Sequence, residues 1–244
     1  MTYESDVLRD WYLLFHYGSP AEILHGAGFE TGGLPARCLE FPVTTVEAAQ
    51  QNSPIGRALD LGCAVGRSAF ELSRFAGEVI GIDFSASFIE AAELIRNEGQ
   101  STYRRYGEMH LPETLEARRP GGIDPDRVSF EVGDAMSLRH DLGTFDLVHA
   151  ANLLCRLPEP ERLLARLPEL LNQGGRLVVA TPATWMDIYT PRAKQPTGLT
   201  LDYLHQHLDG NFELLTVAEL PFLIREHQRK FQLSTSQTSV WARR

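Results

Sequence analysis

The run Leu59-Asp60-Leu61-Gly62-Cys63-Ala64-Val65-Gly66 puts two glycines and an acid where a short apolar strand meets a helix. Glycine lets the backbone approach a ligand closely, and a helix N-terminus offers free N–H donors, so such a turn suits a nucleotide. Asp83 follows 23 positions after Asp60, at the end of the next apolar run, Val79-Ile80-Gly81-Ile82. An acid about 20 residues on is placed to accept hydrogen bonds from a ribose diol. A glycine turn alone often serves purely structural ends; joined to a strand-terminal acid in one βαβ unit it is much more specific. A phosphate loop needs Gly-Lys-Ser/Thr after its glycines, whereas Gly66 is followed by Arg67-Ser68. A dinucleotide site wants Gly-x-Gly-x-x-Gly, and the third glycine is missing. Asp60 so close to the turn repels a pyrophosphate and suits a cationic or ammonium-bearing ligand.

The elements that must position these residues follow from periodicity. Asp6–Tyr17 carries Val7, Leu8, Trp11, Tyr12, Leu14 and Phe15 at helical spacing. Gly18-Ser19-Pro20 stops that helix, and Thr44-Thr45-Val46-Glu47 reads as a capping box opening another. Strands are predicted over 58–61, 79–82, 128–132, 145–149 and 176–180. Helices are predicted over 67–75, 85–97 (capped by Ser85) and 160–171. This alternation predicts an α/β domain with a parallel sheet covered on both faces. Residues 97–127 hold glycines, prolines and Arg104-Arg105 without a clean period and read as an insertion or lid. Phe212–Leu220 and Phe231–Trp241 read as a hairpin whose strands are joined by a polar link. The expected organisation is a helical N-terminal extension, 1–56, capping the site, and a core over 57–244 with the insertion at about 97–127.

S-adenosylmethionine, with its sulfonium and α-amino group, fits the ligand that the turn describes. The residues here resemble the class I S-adenosylmethionine-dependent methyltransferases. Asp60-Leu-Gly62-Cys-Ala-Val-Gly66 looks like their first motif, with Ala64 in place of the usual middle glycine. Asp83 resembles their ribose-binding acid, and Gly133-Asp134-Ala135 the third-strand motif whose acid lies near the adenine amino group. Phe145-Asp146-Leu147-Val148, running on to Asn152, resembles the strand that faces the methyl group. Leu171-Asn172-Gln173-Gly174-Gly175 resembles the turn before the fifth strand. The resemblance spans roughly 57–243, and the motifs occur in the expected order. It implies a Rossmann-like fold: a mostly parallel seven-stranded sheet with helices on both faces and a C-terminal antiparallel hairpin. It also implies a cofactor seat of Asp60, Gly62, Cys63, Gly66, Asp83, Phe84, Ser85, Asp134, Ala135 and Asn152, with S-adenosylhomocysteine as product and no metal.

Two outer segments are more particular. Tyr3-Glu4-Ser5-Asp6 with Tyr12-Leu13-Leu14-Phe15-His16-Tyr17-Gly18, and Pro221-Phe222-Leu223-Ile224-Arg225-Glu226-His227 running into Arg229-Lys230-Phe231-Gln232, resemble the C-terminal methyltransferase domain of ovothiol-biosynthesis enzymes. That resemblance implies methylation of an imidazole nitrogen of 5-thiohistidine (4-mercaptohistidine) to give ovothiol. The chain carries no His-x-x-x-His-x-Glu set for the iron-dependent sulfoxide synthase half, and it reads as a stand-alone methylating half. A neutral imidazole is already nucleophilic, so the main task is proximity and alignment, and whether a general base is used stays open. Asn152, His16 and Tyr17 are the expected aligning groups. Trp185 is expected to stack on the acceptor ring and Arg225 to bind its carboxylate, with Arg37 a weaker candidate for the cofactor's carboxylate.

The same chemistry with another small amino acid or carboxylate is the nearest alternative. A non-catalytic cofactor-binding activator subunit and a dinucleotide oxidoreductase stand further off. Each candidate also has a purely structural reading: an exposed helix histidine, a loop-packing Trp185, a solvated link at Arg225. His205 and His207 lie two apart on a helix and make a poor metal pair, and His25, His110 and His140 have no partner pattern. Cys38, Cys63 and Cys155 lack CxxC spacing or a disulfide framework. With 23 basic against 32 acidic residues, a net charge of −9 and 244 residues, the chain disfavours a nucleic-acid binder and supports a sizeable core. The acidic N-terminus is unlike a signal peptide, and no apolar run nears the roughly 18 residues of a membrane span. A cytoplasmic location, a small-molecule partner and no membrane or nucleic-acid partner are therefore expected; oligomeric state stays open.

Overall fold

Central strands with apolar residues on both faces require cover on both sides. The computed structural model, which describes residues 4–50 and 53–244, supplies that cover. The strands are β1 (Ile55–Leu61), β2 (Ala76–Asp83), β3 (Gln100–Tyr106), β4 (Pro112–Arg118), β5 (Val128–Val132), β6 (Phe145–Ala151), β7 (Leu171–Thr181), β8 (Phe212–His227) and β9 (Lys230–Arg243). The helices are α1 (Asp6–Tyr17), α2 (Pro20–Ile23), α3 (Phe41–Ala49), α4 (Arg67–Leu72), α5 (Ala86–Glu98), α6 (Pro160–Leu170) and α7 (Thr200–Leu208). Seven strands form one sheet in the order β5-β2-β1-β6-β7-β9-β8. β5, β2, β1, β6 and β7 pair in parallel, and β9 runs antiparallel to both β7 and β8. This is the Rossmann-like sheet expected, with its C-terminal hairpin.

From β1 the chain winds outward through β2 and β5, then crosses back to β6 and β7, so strand order reverses between β1 and β6. Crossover helices on opposite faces leave a crevice at such a switch point, outside the carboxyl ends of the strands. Side chains alternate along β1: Ala58 joins the core beneath α1, α3, α4 and α5, while Leu59 and Leu61 join the core beneath α6 and α7. Asp60 therefore points to the α3–α4 side.

Three expectations are corrected. The helix expected to start at Thr44 starts at Phe41, where Pro42 suits a first turn, and the Thr44 and Thr45 hydroxyls donate to the Phe41 carbonyl instead of capping. The polar link 221–230 is strand down to a tight turn at Gln228-Arg229, and β8 tolerates Pro221 because it is an edge strand. Residues 97–127 are no lid. They hold the separate β3–β4 hairpin, anchored behind α1 by Asp10, which accepts from the Arg104 backbone N–H, the Arg104 guanidinium and the Tyr106 hydroxyl.

Candidate functional site

The crevice opens into a cavity of about 490 Å³, within the usual range for small-molecule sites. One end is built by the β1–α4 turn and the tip of β2. Gly62 and Gly66 have φ of 68° and 87°, and a Cβ on Gly66 would sit 2.6 Å from the Phe130 ring, so only glycine fits. The Ala64 backbone N–H donates to Asp83 Oδ2 at 2.9 Å and the Ser85 N–H to Asp83 Oδ1 at 2.9 Å. Burial, opposed by these two N–H groups, pushes the Asp83 carboxyl up to about 6; Asp60 and Glu4 add to the rise. Asp134 Oδ1 accepts from the Met136 N–H, which turns the chain after β5 and sets Asp134, Ala135 and Met136 along the cavity wall. Ser85 caps α5 as expected, accepting from the Phe88 N–H. Phe84, 75% exposed, follows Asp83 in the chain and lines the cavity.

At the middle of the cavity, Asp60 and His149 sit opposite each other on β1 and β6, with His149 Nδ1 2.8 Å from Asp60 Oδ1. Both are buried, and Asp60 Oδ2 and His149 Nε2 have no partner among the described residues. An unpaired carboxylate oxygen in a largely apolar cavity is costly unless a cation or donor meets it, so it fits the ammonium of an amino-acid ligand. Asn152 follows β6 with φ of 56°, a conformation asparagine tolerates. Its N–H donates to the Ala180 carbonyl, and its Oδ1 accepts from Ser236. The far wall comes from Tyr12, Phe15 and His16 on α1, Phe41 and Pro42 on α3, and Ile224 on β8. Arg156 and Tyr189 complete the rim, with the guanidinium 4.6 Å above the tyrosine ring and donating to the Thr184 carbonyl.

Residues 59–179 match the methyltransferase domain family. The chain is 32% identical to a trans-aconitate 2-methyltransferase of Deinococcus radiodurans over 58% of this chain and 44% of that protein. It is 28% identical to the methyltransferase GfsG of Streptomyces halstedii over 68% of this chain and 53% of that one. The chain thus spans about half the length of these curated relatives. Its fold is that of the N-methyltransferase NodS from Bradyrhizobium japonicum solved with S-adenosylhomocysteine, at 13% identity and a TM-score of 0.58 over 98% of this chain and 99% of that one. Residues 59–179 thus form a methyltransferase domain of the class I, S-adenosylmethionine-dependent kind.

The cofactor of that family meets a matching donor set here. Asp83, at the end of β2, would accept from ribose hydroxyls, the unpartnered Asp60 Oδ2 would meet the ammonium, and the Gly62–Gly66 turn would let the backbone close in. When bound, the cofactor supplies an electrophilic methyl carbon. The cofactor-side residues expected from the sequence, Asp60, Gly62, Cys63, Asp83, Phe84, Ser85, Asp134, Ala135 and Asn152, all line the one cavity. Gly66 stands behind the turn, where its N–H donates to the Cys63 carbonyl. The buried Cys63 thiol is pushed up by burial and by Asp83, which leaves it no nucleophilic role at neutral pH.

The acceptor-side expectations divide. His16 lines the cavity; burial, with help from Arg67, lowers it to about 3 and keeps it neutral. Tyr17 does not line the cavity: its hydroxyl donates to the Val65 carbonyl at 2.7 Å, fastening α1 to the cofactor turn. Trp185 faces α7 instead, donating to Thr200 Oγ1 and packing edge-on to Tyr203. Arg225 is buried behind the wall, its guanidinium donating to the carbonyls of Ile23, His25 and Tyr106. Arg37 pairs with Glu40 and Glu47 on the surface. Tyr3 lies outside the described residues, but its neighbour Glu4 accepts from the Ala86 and Ser87 N–H groups at the start of α5. Sequence reasoning missed Arg156 and His149. A histidine inside the apolar run of β6 was the available signal, since a buried imidazole needs a partner.

Ala64 holds φ of 48° where the family's glycine would be free. A left-handed alanine costs about 1–2 kcal/mol, and glycine's extra chain entropy returns about 0.5–1 kcal/mol of that. Ala64→Gly is expected to stabilise the protein by about 0.5 kcal/mol, seen as a small rise in the urea midpoint with an unchanged slope.

Proposed function

We propose that this protein methylates an imidazole nitrogen of 5-thiohistidine, forming ovothiol. One observation carries the reading. The two segments that resemble the ovothiol enzymes, one at each end of the chain, meet at the same cavity wall. Phe15 of the first lies 6.0 Å from Phe222 of the second, and Tyr12, Phe15, His16 and Ile224 from these segments line the cavity. They enclose a compartment beside the cofactor seat with aromatic faces for a flat ring and a neutral histidine at its edge. On this reading Arg156, which lines the cavity and stacks on Tyr189, binds the amino-acid carboxylate in place of Arg225. The chain's own work is to exclude water, hold the ring against the methyl carbon and bind the carboxylate.

Methyl transfer to 5-thiohistidine, followed by mass spectrometry beside histidine, tests this. N-methylated 5-thiohistidine is the expected product, and no preference for the thiolated ring would refute the assignment. Arg156→Ala is expected to raise KM for the acceptor by about tenfold, the loss of one charge-assisted hydrogen bond, while S-adenosylhomocysteine affinity stays put. A second reading, transfer to another small carboxylate, draws support from the same Arg156 and from the relative named for trans-aconitate. Trans-aconitate belongs in the same assay.

A further inference from the structure

The Asp60–His149 pair does more than the cofactor asks of it. The cofactor's ammonium needs one free carboxylate oxygen, which is Asp60 Oδ2; it does not need a buried imidazole fastened to the other oxygen. His149 has no exposed surface, and its Nδ1 is 2.8 Å from Asp60 Oδ1. A carboxylate oxygen can only accept, so Nδ1 carries the hydrogen, and in the neutral imidazole Nε2 keeps its lone pair. That Nε2 is buried without a partner among the described residues, and His149 lines the cavity together with Asn152, His16, Phe41 and Pro42. Leaving a buried acceptor unmet is costly in the free protein, and a ligand that brings a donor recovers that cost.

We propose that His149 is the general base of the transfer, with Asp60 holding its imidazole in the accepting tautomer. The inference rests on the imidazole-acceptor reading above. A thiolated imidazole must shed a ring proton to end as a neutral N-methyl product, and in a largely apolar cavity that proton needs an acceptor. As a ring nitrogen forms its bond to the methyl carbon, the carbon–sulfur bond breaks and leaves its electron pair on sulfur. The ring N–H hydrogen passes to His149 Nε2. The resulting imidazolium faces the Asp60 carboxylate through Nδ1–H and releases its proton to water when the product leaves. His16 is the other cavity histidine, and it is unsuited: it lacks a carboxylate partner, and burial holds it at about 3. Asp60 thus has two duties on two oxygens, and β1 and β6 hold them in register.

Single-turnover transfer to 5-thiohistidine, measured in H₂O and D₂O, tests this beside calorimetric binding of S-adenosylhomocysteine. His149→Gln is expected to slow transfer on the order of 100-fold, within the usual range for removing a general base. Its affinity for S-adenosylhomocysteine should stay near wild type, which also shows that the variant is folded. The wild-type protein should show a normal solvent isotope effect on the transfer step, a readout that needs no variant. Unchanged transfer in His149→Gln, a parallel loss of S-adenosylhomocysteine binding, or no wild-type isotope effect would each overturn the base. Wild-type protein that leaves 5-thiohistidine unmethylated overturns the acceptor reading, and with it this step; that failure is distinct because it appears without any substitution.

Discussion

Asp83→Ala is expected to weaken S-adenosylhomocysteine binding on the order of 1000-fold, the loss of two charge-assisted hydrogen bonds at about 1.5–3 kcal/mol each. The carboxylate ends β2 at the switch point, and two backbone N–H groups fix it without using all its lone pairs. The same residue should set the pH dependence. Burial raises the Asp83 carboxyl to about 6, so lowering the pH through that value adds a proton to the group that must accept from the ribose. Affinity is therefore constant above about 7 and falls below 6, approaching tenfold per pH unit. The folded protein's raised value has the opposite sign for stability. The protonated group contributes stability at low pH, and that contribution is lost as pH rises through about 6 in the ligand-free protein. Binding and stability thus pull against each other at one carboxyl. Calorimetric titration of wild type from pH 5 to 8 reads the first effect. A flat affinity across that range, or retained binding in Asp83→Ala, would move the ribose elsewhere.

Local signals set how much of this was legible in the sequence. The β1–α4 turn and Asp83 were readable because motif and function lie within one βαβ unit, and Ser85 capping α5 is a contact three residues long. The acceptor side was harder, because its chemistry depends on which side chains meet across the fold. Tyr17 reads as an aligning group for the acceptor, yet its hydroxyl finds the Val65 carbonyl 48 positions away. Trp185 looked like a stacking platform, but a half-buried indole N–H seeks an acceptor and found Thr200. His149 escaped notice because its partner sits 89 positions earlier, in a strand that becomes its neighbour only through the β1–β6 pairing. Residues 221–230 read as a polar link because Pro221 and the charged run after Ile224 break a strand pattern. An edge strand tolerates the first, and the β3–β4 hairpin and α2 supply partners for the second.

That misreading makes Arg225 the sharpest test of the distinction between a binding and a structural arginine. Arg225→Met is expected to destabilise the protein by about 3–5 kcal/mol, because three carbonyls lose their donor at about 1–3 kcal/mol each, offset in part by the arginine's own desolvation. The side chain is 2% exposed, and its guanidinium donates to Ile23 and His25 at 2.7 and 2.8 Å and to Tyr106 at 3.2 Å. It thereby ties β8 to the end of α2 and the end of β3, and its removal leaves three carbonyls without that donor. Burial, with neighbouring Arg105 second, lowers Arg225 to about 10, which still leaves it charged at neutral pH. The melting temperature should drop by about 2–4 °C per kcal/mol. Arg225→Lys should lose much of the same stability, because one ammonium cannot reproduce the planar fork. A carboxylate-binding arginine would behave otherwise: either substitution would spare stability and raise KM for the acceptor alone. Urea unfolding beside KM measurement separates the two, and wild-type stability in Arg225→Met would return this residue to the acceptor site. Because Arg225 braces the strand that carries Ile224 into the cavity, the folded fraction of either variant should bind S-adenosylhomocysteine normally and hold the acceptor more loosely.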